Sequence, residues 1–400
     1  MQEPSTGLAE SQPSEWRETL ECAIRERVRE LVECILEEEL KEAVGAQRGE
    51  RVAGRHGYRH GSKARSLTLR SGKVGLRVPR ARLVEEDGEE REWRSQLVPR
   101  YRRSTPEVEQ ALVGVYLSGG NPRRIRQALT PLLSGAPLSK SSISRLVGRL
   151  EEAYQQWQKR DLGEEPIAFL YLDAIYPLLR SASRVVKLPI FVALGIRADG
   201  EKVLLAMTSG AAESTDAWRL LVEDLVARHL ALPQLIISDG NKGLRAACDR
   251  VWPGAKQQRC TVHKLRNLEA KAPAHCREEM KQDYHRIVYA EDGAAAQRER
   301  EHFLSKWRKL CAPVAASLEE AGDELLTFFR FPASLHPTLR TTNVIERIHV
   351  EFRRRIKTQG ALPSEATVLR LFFVLVASGQ LRLRRIKGFR EIRRTEQKVA

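Results

Sequence analysis

IAFLYLD (167–173), LPIFVALGIR (188–197), KVLLAMT (202–208), LPQLIISD (232–239) and AKQQRC (255–260) are five strand-like runs, and their order decides the fold. The first is a block of apolar and aromatic residues that closes at Asp173. ADG (198–200) makes a hairpin turn between the second and third. A helix capped by Ser214 or Thr215 and running through WRLLVEDLVARHL leads to the fourth, which closes at Asp239. Gly240 opens a helix over KGLRAACDRVW, and TVHKLRNLEAK (261–271) follows the fifth strand as another helix. The order is β-β-β-α-β-α-β-α.

Three meandering strands followed by α/β units is the order of a ribonuclease-H-like fold, with the first and fourth strands side by side. That arrangement turns two unremarkable residues into a pair. A lone Asp at a strand end usually caps the next turn, but Asp173 and Asp239 on neighbouring strands would face one point. Two like charges that close bind metal or share a proton. Oxygen-only ligation favours Mg²⁺ or Mn²⁺, and two such ions can clamp the attacking and leaving oxygens of a phosphodiester displacement. A third carboxylate completes such a site. The amphipathic run TTNVIERIHVEFRRRIK (341–357) offers Glu346 and Glu351. Glu351 has Arg347, Arg354 and Arg355 at ion-pair spacing, the surroundings of an ordinary surface network, so Glu346 is the candidate.

Outward from this stretch, residues 272–335 read as a polar helical insertion. ATVLRLFFVLVASGQL forms a last apolar helix before a basic tail. On the N-terminal side, residues 14–44 carry Trp16, Leu20, Ile24, Leu31, Ile35 and Leu40 at helical spacing, with an acidic outer face suited to another protein or to the chain's own basic regions. SLTLR-SG-KVGLRV alternates around Ser71-Gly72 as a β-hairpin, whose Arg65, Arg70, Lys73 and Arg77 could follow a phosphate backbone. Residues 106–159 read as three helices resembling a helix-turn-helix, with Lys140 and Arg145 on the third; a plain three-helix packing unit has the same signature. The organisation predicted is an N-terminal helix (1–50), a basic hairpin region (51–104), a helical DNA-binding domain (105–160), the core in two parts (165–271 and 336–375) around the insertion (272–335), and a tail (376–400).

Charge points to the partner. The 400 residues carry a net +16, yet residues 1–50 hold 13 acids against 6 bases, so the rest is strongly basic. Between Arg51 and Arg82 there are ten Lys or Arg and no acid, which is unusual for an enzyme of a small substrate and suits nucleic acid. No apolar run reaches the ~18 residues a spanning helix needs, and the polar start predicts a cytoplasmic, nucleoid-associated protein that does not enter membranes. Six cysteines without a secretory signal read as reduced thiols. Cys260 and His263, with His275 and Cys276 beyond, fit no common zinc-finger spacing.

ISDGNKGLRAACDRVWPGAKQQRCTVHKLRN and TTNVIERIHVEFRRRIKTQGALPSEATVLRLFF resemble the signature blocks of Mutator-type transposases of bacterial insertion sequences. The likeness extends through GYRHGSKARSLTLRSGKVGLRVPRAR, LSKSSISRLV and LPIFVALGIRADGEK, and so spans roughly residues 50–375. It implies an Asp-Asp-Glu triad at Asp173, Asp239 and Glu346, with a ribonuclease-H-like core interrupted by a helical domain before the Glu. It also implies a structural or DNA-positioning role for Cys260 and His263, and phosphate contacts for Arg353, Arg354 and Arg355. Two positions depart from the family pattern: AIYPLLRSASR replaces a basic, Val-rich strand after Asp173, and His349 stands where Asn is usual.

The reading is therefore an α/β enzyme, a transposase that cleaves and joins double-stranded DNA at the terminal inverted repeats and target of its element. It would use two Mg²⁺ or Mn²⁺ ions and work as a homodimer or higher oligomer. A catalytically inactive DNA-binding regulator and a ribonuclease-H-like nuclease such as a junction resolvase are the alternatives.

Overall fold

The computed structural model describes residues 13–69, 72–85, 88–100, 102–117, 140–181, 184–357, 361–362 and 364–392, and divides into two compact units, 1–147 and 148–400. In the first unit, helix α1 (Pro13–Val44) precedes strands β1 (Gly57–Leu69), β2 (Gly72–Val84) and β3 (Glu90–Glu92), which form an antiparallel sheet in that order. Val74, Leu76 and Val78 of β2 are buried and alternate with exposed Lys73, Gly75 and Arg77, as a half-buried strand requires. Against them α1 buries Leu36, Leu40 and Val44. Of the apolar residues that define its period in the sequence, Leu40 is among those buried, whereas Trp16, Leu20, Ile24, Leu31 and Ile35 are exposed. Periodicity identifies a helix, but the sheet decides which face it covers.

Strand β1 starts ten residues earlier than the apolar alternation at Leu67, running back through the polar GYRHGSKARS segment. Backbone pairing with β2, Gly57 opposite Leu83, carries it there without side-chain patterning. Helices α2 (Pro106–Leu117) and α3 (Lys140–Gln158) match the outer two of the three expected helices. The middle one, with Arg70 and residues 393–400 of the tail, lies outside the described residues.

The second unit is built on a mixed five-stranded sheet of order β10-β9-β4-β7-β8. Its strands are β4 (Ile167–Ile175), β7 (Ile190–Arg197), β8 (Lys202–Ser209), β9 (Leu235–Ser238) and β10 (Gln257–Arg259). β4 runs antiparallel to β7 and parallel to β9, so the first and fourth core strands are neighbours. Helices α4 (Thr215–Ala227) and α5 (Lys242–Val251) cover one face, where Trp218, Leu221, Leu225 and Leu244 pack on Leu170, Leu172 and Phe191. Both faces of β4 are buried, which is why its sequence is a continuous apolar run. Within AIYPLLRSASR, unassigned from sequence, lie β5 (Leu178–Ser181) and the first residue of β6 (Arg184–Lys187), two strands that pair antiparallel.

Helix α6 (Thr261–Lys271) leads into the insertion, where α7 (Arg277–Val288), α8 (Gly293–Leu310), α9 (Ala312–Glu320) and short 3₁₀ turns share a core of Leu268, Met280, Tyr284, Phe303, Trp307 and Leu318. The chain then returns to the sheet through α10 (Asn343–Ile356), which lies against β4, and α11 (Glu365–Ala377), which lies against β8. Among the described residues no helix is long and apolar enough to cross a membrane.

Candidate active site

The parallel ladder between β4 and β9 pairs Phe169 with Leu235, Leu170 with Ile236 and Tyr171 with Ile237. Continued two residues past its last pair, that register would set Asp173 against Asp239; Asp239 follows β9 directly, whereas β4 does not close at Asp173 but runs on to Ile175, with Asp173 paired to Val192 of β7. Asp173 is nearly buried; its Oδ1 accepts from the Ala174 N–H at 2.9 Å, and its Oδ2 lies 3.2 Å from His349 Nδ1. Asp239 accepts the Asn241 N–H at 2.9 Å. Burial, reinforced by the charges of Asp173 and Glu213, pushes its carboxyl above the ordinary Asp range. Gly240 makes the turn possible: its φ is +86°, and a Cβ there would meet the Arg259 side chain at 2.2 Å. Asn241 then caps α5 by accepting from the N–H groups of Gly243 and Leu244.

The third carboxylate comes from α10. Its apolar stripe of Ile345, Ile348, Phe352 and Ile356 is buried, leaving Glu346 partly exposed in the first turn. Thr342, fully buried just before the helix, donates its hydroxyl to Glu346 Oε1 at 2.6 Å. The Thr342 N–H donates to Cys260 Sγ at 3.3 Å, and His263 lies on the other side, with Nδ1 3.3 Å from the Thr342 hydroxyl and Nε2 3.8 Å from Glu346. Cys260 is the N-cap of α6 and His263 sits in its first turn. The hydrogen bond with Cys260 lifts the imidazole to about 9, assisted by the nearby Glu346 and Asp239 charges against the opposing effect of burial. For Cys260, hydrogen bonds from His263 and Thr342 outweigh burial and hold the thiol below its ordinary value. Among the described residues, Cys260, His263 and Glu346 are the one trio of ligand-type side chains whose donor atoms all lie within 4.8 Å of one another.

No Lys or Arg among the described residues forms an ion pair with Asp173, Asp239 or Glu346; His349 is the ion-pair neighbour of Asp173 and His263 that of Glu346. Asp173 and Asp239 lie outside the Cys260, His263 and Glu346 trio, whose donor atoms are sulfur, nitrogen and oxygen.

Sequence comparison gives this geometry its context. The family model "Transposase, Mutator family" matches residues 2–382. The chain belongs to the Mutator family of transposases. It is 36% identical over 348 residues to the transposase for insertion sequence element ISRM5 of Rhizobium meliloti (strain 1021), covering 87% of this chain and 85% of that protein. It is 33% identical to the IS406 transposase of Burkholderia multivorans, with 84% of each chain covered. Against the IS256 transposase in transposon Tn4001 of Staphylococcus aureus the identity is 29%, with 82% of each covered.

The other candidate residues of this family member divide by what they touch. Arg65 is committed to its own unit, donating to the carbonyls of Val98, Pro99 and Arg102 at 2.8 to 3.0 Å. Lys73 and Arg77 are exposed on the opposite face of β2 from its core. Arg145 is exposed on α3, the helix that Lys140 begins. Arg353 and Arg354 are exposed on α10, and Arg354 and Arg355 bind Glu351 at 2.9 and 2.7 Å.

Sequence reasoning did not assign the roles of Thr342 and Glu213, and it noted His349 only as a departure from the family pattern. Thr342 links the Cys/His pair to Glu346. Glu213, from the loop before α4, adds a fourth carboxylate near the aspartates and accepts from Trp218 Nε1 at 3.1 Å and from the Tyr176 hydroxyl. His349 reaches Asp173. Glu213 had no signal beyond its place just before the Ser214 cap, but Thr342 and His349 lie at i−4 and i+3 from Glu346, the helical neighbours of a ligand.

Proposed function

We propose that the chain is the transposase of an insertion sequence, binding the element's terminal inverted repeats and catalysing divalent-metal-dependent strand cleavage and strand transfer at an Asp-Asp-Glu site in a ribonuclease-H-like core. The observation that carries this is Asp173 on β4 and Asp239 directly after its parallel neighbour β9, with Glu346 presented from α10 and no Lys or Arg among the described residues paired with any of the three. The sheet order and the β-β-β-α-β-α-β-α sequence of elements support the core assignment.

Asp173, Asp239 and Glu346 would hold Mg²⁺ or Mn²⁺. When bound, a pair of such ions would polarise the scissile phosphate and activate water or a 3′-hydroxyl as nucleophile. The chain's own residues do the positioning. Thr342, held by Cys260 and flanked by His263, fixes one Glu346 oxygen and leaves the other for the cation. The exposed guanidinium of Arg353, on the same helix, would bind DNA phosphate, with Arg354 and Arg355 beside it. The exposed cations of β2 and α3 would grip the duplex through its backbone.

Asp173→Asn or Asp239→Asn removes a ligand charge at constant shape. Cleavage and joining of a repeat-bearing duplex in Mg²⁺ or Mn²⁺ should fall by orders of magnitude while duplex binding survives. Activity within tenfold of wild type would sink the triad. Cleavage without any joined product would favour the nuclease reading.

A further inference from the structure

His349 is a buried imidazole with only one of its nitrogens engaged. It lies one turn beyond Glu346 on α10, is 2% exposed, and its ring stands edge-on to Phe372 with centroids 6.3 Å apart. Nδ1 is 3.2 Å from Asp173 Oδ2, whereas Nε2 is buried and has no hydrogen-bond partner among the described residues. A carboxylate oxygen is an acceptor, so the proton of this contact sits on Nδ1.

We propose that His349 is a positioning residue for the cation site, acting through Asp173. The Nδ1–H bond on Oδ2 and the Ala174 N–H bond on Oδ1 hold the carboxylate at both of its oxygens and so restrict its rotation. Groups that orient a ligand in this way typically contribute about 10- to 100-fold to metal affinity. Because Glu346 and His349 share one helix face, α10 brings a third ligand and the support of the first ligand to the site together. An Asn side chain carries its amide nitrogen the same number of bonds from Cα as His Nδ1, so it can supply the same donor. A Phe fills the ring's space without one.

The proposal rests on Asp173 being a metal ligand, and the experiment separates the two ideas. Mn²⁺ binding to the full-length protein is measured by electron paramagnetic resonance and by the Mn²⁺-induced rise in melting temperature, for wild type, Asp173→Asn, His349→Phe and His349→Asn. His349→Phe should weaken Mn²⁺ binding about 10- to 100-fold, and His349→Asn should recover it to within about threefold of wild type. ¹⁵N chemical shifts of the wild-type imidazole should show Nδ1 protonated, a reading that does not depend on any variant folding. Asp173→Asn that leaves Mn²⁺ binding intact overturns the site itself. If Asp173→Asn abolishes binding while His349→Phe leaves it unchanged, the role of His349 alone is overturned, as it also is by an Nδ1 found without a proton.

Discussion

Glu346 and Glu351 stand five residues apart on one helix in opposite surroundings, and the difference decides their expected behaviour. Glu346 accepts from a buried threonine and faces His263, whereas Glu351 is bound by Arg354 and Arg355 and its side chain is 39% exposed. Glu346→Gln should abolish strand transfer and reduce Mn²⁺-dependent stabilisation, because a bound ion stabilises only where its ligands are intact. Glu351→Gln should cost at most ~1 kcal/mol of stability, the range of exposed pairs, and leave catalysis near wild type. A dead Glu351→Gln beside an active Glu346→Gln would reverse the assignment. Choosing between these two was possible from sequence because arginines at i+3 and i+4 mark an ion-pair face. The role of Thr342 was not legible: its value comes from Cys260, eighty-two residues away in the chain and brought to it only by the fold. His349 was visible as a departure from Asn, yet its reach to Asp173 required the packing of α10 on β4.

At the scale of elements, the insertion is fastened to the sheet by a charge cluster that composition hides. Lys264 on α6 is 1% exposed and donates to the Ser317 carbonyl at 2.7 Å and to Glu320 at 3.0 Å, while Arg259 on β10 donates to the same Glu320 at 2.8 Å. Burial works against the ionised Glu320, but these two hydrogen-bonded cations prevail and hold its carboxyl down at about 2. A depressed folded-state value contributes stability that is complete above the ordinary Glu pKa of 4.5 and is lost as pH falls toward 2. Glu320→Gln should destabilise the fold by roughly 3 kcal/mol at neutral pH, since it strands two buried cations. It should also flatten the acid limb: thermal melts between pH 5 and pH 2 should show the wild type losing more stability than the variant. Equal slopes would refute the linkage. The strands of the core were readable because β4 and β7 are apolar on both faces. The β5–β6 hairpin was not, since RSASR carries neither alternation nor an Asn-Gly type turn, and its place is set partly by the bridge from Leu179 to Leu362.

Across the whole molecule, the charge asymmetry read from the sequence finds a structural counterpart in the first unit, though not for every residue that contributed to it. Acidic groups of α1 are turned inward to local partners: Glu33 accepts from the Arg77 N–H, and Glu39 from the Ser95 hydroxyl and the Gln96 N–H. Arg65 is likewise absorbed by three backbone carbonyls. The Lys73 and Arg77 side chains stay exposed on one strand face and are the cations to test against DNA. For every phosphate that a cation no longer neutralises, the slope of log K against log salt should shrink in magnitude by about 0.9. Titrating a duplex with the full-length protein across salt, the Lys73→Ala, Arg77→Ala double variant should therefore show a slope smaller by close to two units while melting at the wild-type temperature. Arg65→Ala should do the opposite: a lower melting temperature, because three carbonyls are deprived of their donor, with the salt slope of the folded protein unchanged. If the double variant keeps the full slope, the hairpin is not the phosphate-facing surface, and the grip on DNA lies with α3 and the cations of α10.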